Sequence, residues 1–182
     1  WLAAGRRPKL ERPSAELTCA PRVELLASLR ANGFQSWIGS GGGIEFMRRF
    51  SQGVYGIPPE QVIGTSIVTR YVVDDGKPTL LREARLHFFD DKEGKPVGIH
   101  KFIGKRPVFA AGNSDGDFQM LQWTTSGEGP RLGVIVHHTD AAREWAYDRA
   151  SHIGKLDLGL DEARAKGWTV VDMKRDWSRI HP

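Results

Sequence analysis

The chain has 182 residues, 40% of them hydrophobic and 26% charged, a length and composition that support one domain with its own core. No apolar stretch approaches the roughly 20 residues of a membrane-spanning helix, and a single cysteine, Cys19, excludes an internal disulfide and a cysteine cluster for zinc. The net charge of +4 comes from well-mixed charges; the densest basic clusters, Arg6 to Arg12 and Lys174 to Arg179, lie near the termini and belong to no nucleic-acid module, so neither nucleic acid nor a membrane is expected as a partner.

Residues 1–19 show no period and hold Pro8 and Pro13, which reads as an arm. Pro21 opens a helical run with Val23, Leu25, Leu26 and Leu29, and Gly33 closes it. Phe34 to Ile38 predicts a short buried strand, Ser40-Gly41-Gly42-Gly43 a glycine turn, and Ile44, Met47 and Phe50 a helix. Val54 to Pro59 reads as a loop and Gln61 to Gly64 as a short strand. Ile67 to Val73 and Leu80 to Phe89 flank Asp75-Gly76, a hairpin signal. A helix is expected from Gly94-Lys95-Pro96 through Phe102, then a strand at Val108 to Ala111. The loop Gly112 to Asp117 follows, and a helix holding Phe118, Met120 and Leu121. The rest predicts a strand at Leu132 to Val136, helices over Thr139 to Ile153 and Lys155 to Lys166, and a last strand at Trp168 to Met173. Strands alternating with helices argue a parallel α/β sheet covered on both faces, a three-layer Rossmann-like arrangement with a small hairpin insert.

Two loops at strand ends carry the candidate chemistry. Ser40 to Gly43 precedes a helix, where free amides, the helix dipole and a hydroxyl favour an anion; the plainer reading is an N-cap with flexible glycines. The dinucleotide fingerprint fails at Ile44, and no Walker A loop surrounds Gly104-Lys105. In Gly112-Asn113-Ser114-Asp115-Gly116-Asp117, two carboxylates and an amide oxygen offer hard ligands suited to Mg²⁺; the plainer reading is a turn with capping acids. The same loop spells G-x-S-x-G. As a nucleophile elbow it would pair Ser114 with Asp140 or Asp148 and then His152 or His181, but only 68 residues follow the serine. Lys95 at a helix start opposes the dipole unless an anion meets it, with Lys101 as its rival. His137-His138, Trp145, Tyr147 and Trp168 read as structural.

Together these pieces resemble the haloacid dehalogenase-like superfamily of phosphohydrolases, in its phosphoserine-phosphatase-like branch. Ile38 to Gly43 resembles the second motif, whose hydroxyl bonds the phosphoryl group. Lys95 resembles the third motif's lysine, and Ala111 to Leu121 the fourth, acidic motif that helps hold Mg²⁺. The resemblance runs from about residue 20 to Trp177. It implies a Mg²⁺-dependent phosphatase acting on a small phosphomonoester through an aspartyl-phosphate that water hydrolyses. By that resemblance Ser40 and Lys95 are catalytic, Ser40, Gly41, Gly42 and Lys95 hold phosphate, and Asn113, Asp115 or Asp117 hold the metal.

Two departures accompany it. Asn113 stands where the fourth motif usually has its first Asp, which splits the metal assignment. The first motif, D-x-D-x-T on an apolar strand, has no match before Ser40; only Glu11, Glu16 and Glu24 precede it, and Asp74-Asp75 and Asp90-Asp91 come later, in a hairpin or turn. With Trp1 at the start, the expectation is that an upstream segment carries the nucleophile and the sheet's central strand, and that residues 20–182 form the domain without it. A non-catalytic phosphate-binding protein of the same superfamily and a serine hydrolase using Ser114 are the alternatives. Substrate identity and oligomeric state stay open, and the expected compartment is the cytoplasm, or the periplasm if a leader precedes Trp1.

Overall fold

The computed structural model describes residues 5, 9–13 and 16–182. Much of the arm, including Arg6 and Arg7 of the first basic cluster, lies outside the described residues. Within the described part, Lys9 lies over the Trp145 ring at 4.5 Å and Arg12 bonds the Pro182 carbonyl.

Helix α1 (Ala20–Ala31) carries Pro21 in its first turn. It stops in a Schellman turn: Gly33 adopts φ +80°, its N–H bonds Arg30 O, and Phe34 N–H bonds Leu29 O. That cap engages Phe34, so the expected strand at Phe34 to Ile38 does not form. Strand β1 (Ile38–Gly43) starts where that one was to end and takes in the glycine run. Ser40 pairs with Gly64 and Gly43 with Thr65, so Gly41 and Gly42 bulge out between two paired residues. Helices α2 (Ile44–Arg48) and α3 (Ser51–Tyr55) follow, the second extending into the expected loop.

Strand β2 (Val62–Asp74) runs straight on into the hairpin and returns as β3 (Lys77–Phe88). The Asp75-Gly76 turn has φ +45° and +73°, the two positive angles that a tight type I′ turn demands. Tyr71 and Leu80 face each other across it, 63% and 68% exposed. Helix α4 (Gly94–Ile103), strand β4 (Phe109–Gly112), helix α5 (Phe118–Thr125) and strand β5 (Leu132–His137) match expectation closely.

Thr139 to Ile153 is not helical. Asp140 draws the N–H groups of Ala142 and Arg143 into a local turn, and Tyr147 bridges back to His138 as an isolated antiparallel pair. A side chain that captures nearby amides offers the backbone an alternative to the helix. The expected helix at Lys155 to Lys166 shrinks to α6 (Leu158–Ala163). Strand β6 (Thr169–Asp172) and helix α7 (Met173–Asp176) complete the order.

The chain is a mixed α/β protein with two three-stranded sheets, ordered β1-β2-β3 and β4-β5-β6, the second entirely parallel. The single sheet that the alternation predicts is thus in two parts. One core joins them: Ile63 of β2, Ile99 of α4, Ala110 of β4, Phe118 and Leu121 of α5 and Ile135 of β5 belong to one buried cluster. Alternation along β5 sends Val136 to the other face, into a second cluster with Cys19, Met173 and Ile180. Strand β5 is therefore covered on both faces, with helices α5 and α6 on one side and Cys19 before α1, Met173 of α7 and the C-terminal segment on the other. Strands β1 and β4 differ. Among the described residues each pairs along one edge only, and Gly39, Gly41 and Ala111 are exposed.

Candidate functional site

The first residues of β1 and the loop beyond β4 meet at one lysine. Lys95, in the first turn of α4, is 4% exposed. Its ammonium donates to Gly39 O of β1 at 2.9 Å and pairs with Asp117 Oδ1, beyond the end of β4, at 3.2 Å. A cation at a helix start is locally unfavourable, and these two acceptors supply the compensation that its position requires. Ser40 enters the same cluster through its main chain, whose N–H donates to Asp90 Oδ2 at 2.9 Å. Asp90 is itself within the field of Lys95 and Asp117. Ser40, Lys95 and Asp117 thus converge although up to 77 positions separate them in the sequence.

Ser40 Oγ accepts the Gly42 N–H at 3.1 Å, which orients the hydroxyl and engages the amide that the sequence assigned to phosphate. The hydroxyl proton has no acceptor among the described residues and remains available to an incoming anion. Gly41 lies against Asp91, where an added Cβ would stand 3.6 Å from the Asp91 Cβ, and its carbonyl accepts the Thr65 hydroxyl.

The acidic loop resolves into distinct roles. Asp117 Oδ2 accepts the N–H groups of Asn113 and Ser114, at 2.9 and 3.3 Å, while Oδ1 faces Lys95. Asp117 therefore folds the loop and neutralises the lysine. Gly112 is required beneath it, since a Cβ there would stand 2.3 Å from the Asp117 Cβ. Asp115 turns the other way. Its two oxygens accept the N–H groups of Asp157, Leu158 and Gly159, so it caps α6 across 42 residues of sequence. Ser114 caps the 3-10 turn at 115–117 and donates to Asp117 Oδ2; among the described residues no imidazole bonds it, as a serine nucleophile would require. Of the three metal-ligand candidates, Asn113 alone keeps its side-chain oxygen without a protein partner among the described residues. Its Nδ2 donates to the Tyr147 hydroxyl at 3.1 Å.

Sequence reasoning set aside two residues that the fold places here. Asp90 is 1% exposed, and burial pushes its carboxyl up to about 6 against the pull of Lys95 and the Ser40 N–H. Asp91 packs its carboxylate against Gly116, where an added Cβ would stand 2.4 Å from Oδ1; its main-chain carbonyl accepts the Gly94 N–H, while the carboxylate accepts no hydrogen bond among the described residues. The available signal was an Asp pair directly before the helix that carries Lys95. Two surface hollows lie elsewhere, one lined by Arg143, Lys174 and Trp177 and the other by Pro96, Gln119 and Trp123.

Among the described residues no group of three or more His, Cys, Asp or Glu is arranged to hold a metal ion. Mg²⁺ asks for less, commonly one or two carboxylates with substrate phosphate and water completing the shell. In this loop the unengaged oxygen belongs to the neutral Asn113 amide, while the Asp115 and Asp117 carboxylates are engaged within the protein. No helix among the described residues is long and apolar enough to cross a membrane. A scan against protein-family models and a search of curated proteins find no match for this chain.

Proposed function

We propose that the chain is the larger part of a haloacid dehalogenase-like, Mg²⁺-dependent phosphohydrolase acting on a small phosphomonoester. The observation that supports it most is the junction at Lys95, one buried ammonium bonded to β1 beside Ser40 and to Asp117 beyond β4.

In this reading the Ser40 hydroxyl donates to a non-bridging phosphoryl oxygen, and Lys95, fixed by Gly39 O and Asp117, neutralises charge as the phosphoryl group transfers. Asn113 would offer its side-chain oxygen to Mg²⁺, and the ion when bound would supply Lewis-acid charge at the phosphate. The local balance calls for such a cation. One ammonium is paired with Asp117, and Asp90 adds a second carboxylate nearby once ionised, so a phosphate dianion arriving without a divalent partner meets net repulsion. The attacking carboxylate is assigned to an extended segment that would pair with β1 and β4, each of which has a strand partner on one edge only among the described residues. The present chain then binds phosphate but does not turn it over.

The test is phosphate binding by the 182-residue protein with and without Mg²⁺, read by calorimetry, together with p-nitrophenyl phosphate turnover. Mg²⁺-dependent binding that weakens by about tenfold or more in Ser40→Ala is expected, the loss of one charge-assisted hydrogen bond, with no turnover above buffer. Absence of Mg²⁺-dependent binding overturns the reading. Turnover by the purified chain overturns the assignment of the nucleophile.

A further inference from the structure

We infer that Thr65 is a positioning residue for Ser40: acting through one peptide plane of the glycine bulge, it leaves the Ser40 hydroxyl proton free for a phosphoryl oxygen. This rests on the phosphohydrolase reading and gives a task to a residue that the sequence leaves unremarked.

The bulge creates the need. Ser40 pairs with Gly64 and Gly43 with Thr65, so Gly41 and Gly42 have no place in the ladder. Gly41 O and Gly42 N–H find side-chain partners instead, in a closed ring of hydrogen bonds. Asp90 N–H donates to Thr65 Oγ1 at 3.2 Å, and the Thr65 hydroxyl donates to Gly41 O at 2.8 Å. Gly42 N–H donates to Ser40 Oγ at 3.1 Å, and Ser40 N–H returns to Asp90 Oδ2 at 2.9 Å.

The sense of each bond in the ring is forced. An amide N–H only donates and a carbonyl only accepts. Gly41 O therefore takes the Thr65 proton, and a Thr65 lone pair takes the Asp90 N–H. The peptide between Gly41 and Gly42 is trans, so its C=O and N–H point to opposite sides of one plane. Holding the carbonyl on Thr65 directs the Gly42 N–H the other way, where Ser40 Oγ meets it. Ser40 must accept there, and its own proton is left without an acceptor among the described residues, ready for an anion. Glycine stands on both sides of this plane, and no Cβ restrains its rotation. Without the Thr65 hydroxyl the plane can turn, and Gly42 N–H then leaves Ser40. Strand β2 backs the bulge closely, since a Cβ on Gly64 would stand 3.0 Å from both Gly42 O and Ile44 Cα. The Asp90 bonds tie the same ring to the segment that leads into α4 and Lys95.

The experiment is a double-mutant cycle on the full chain, read as calorimetric binding of inorganic phosphate in the presence of Mg²⁺. Thr65→Val keeps the β-branched shape and removes the donor, and is expected to weaken phosphate binding about fivefold. In a Ser40→Ala background the same change is expected to shift Kd by less than about twofold, because no hydroxyl is left to orient. Thr65→Ser keeps the donor and is expected to stay within about twofold of wild type. Should Thr65→Val not fold, Thr65→Ala takes its place in the cycle. Equal weakening in both Ser40 backgrounds shows a merely structural Thr65 and overturns the inference, as does a loss in Thr65→Ser as large as that in Thr65→Val. If the wild-type chain binds no phosphate, the phosphohydrolase reading fails and this inference with it. Phosphate binding that is present but indifferent to loss of the Thr65 hydroxyl sinks the inference alone.

Discussion

Asp90 shows what one buried carboxyl does to the site around it. One of its oxygens accepts the Ser40 N–H, and the other, buried, has no partner among the described residues. Burial raises its pKa from 3.8 to about 6. In the unfolded chain the group ionises near 3.8, so between about pH 4 and 6 the folded state binds the extra proton. Stability contributed by the neutral form is then lost as pH rises through that window. Asn at this position keeps an acceptor for Ser40 and never ionises. The stability of Asp90→Asn relative to wild type is therefore expected to grow by about 2–3 kcal/mol between pH 3.5 and 7.5. Urea denaturation in metal-free buffer measures it, and parallel pH profiles for the two proteins would contradict it. At this scale the sequence reveals Ser40, Lys95 and Asp117 because motif spacing places them at strand and helix ends. It does not reveal Asp90, whose meaning depends on a partner 50 residues away, nor the split between Asp115 and Asp117, whose carboxylates turn to opposite sides of one short turn.

Among the elements, α6 depends on a residue outside itself. It has only six residues, too few to persist without tertiary support. Its own cap position, Asp157, makes no side-chain cap bond, and Asp115 takes the first N–H groups instead. Asp115→Ala is expected to lower stability by about 1–2 kcal/mol, the usual worth of a lost N-cap, with Asp115→Asn losing less. Mn²⁺ binding in the 112–117 loop should stay unchanged. Chemical denaturation and a Mn²⁺ titration read by paramagnetic broadening of the loop's amide signals decide it, and unaltered stability with lost cation binding would return Asp115 to the metal. Elements were legible where local chemistry acts unopposed: the hairpin at Asp75-Gly76, and α4 beginning at Gly94-Lys95-Pro96. They were misjudged where a side chain or cap captured the backbone. The Schellman turn took Phe34 out of a strand, and Asp140 took residues 139–153 out of a helix.

Across the whole molecule, one core ties together two sheets that share no strand pairing among the described residues. The two halves should unfold as one unit, because Ile63, Ala110 and Ile135 lie in the same buried cluster. Below that global opening their strands should differ. Strand β5 has neighbours on both edges and cover on both faces, with Ile135 1% exposed. Strand β1 has a partner on one edge, four glycines in six residues and a bulge at Gly41-Gly42, each of which weakens a ladder. Parallel strands are ordinarily covered on both faces, whereas Gly39 and Gly41 of β1 and Ala111 of β4 are exposed. Native-state hydrogen exchange tests this. Amides of Val134 to Val136 are expected to exchange only through global unfolding, and those of β1 and β4 at least about 100-fold faster through local opening. Uniform protection across all three strands would mean that β1 and β4 need no further strand, and the assignment of the attacking carboxylate to a segment between them would lose its structural support. If the expected contrast holds, a segment that pairs with both strands, as the proposed function requires, should slow exchange in β1 and β4 together, since one inserted strand hydrogen-bonds on its two sides at once.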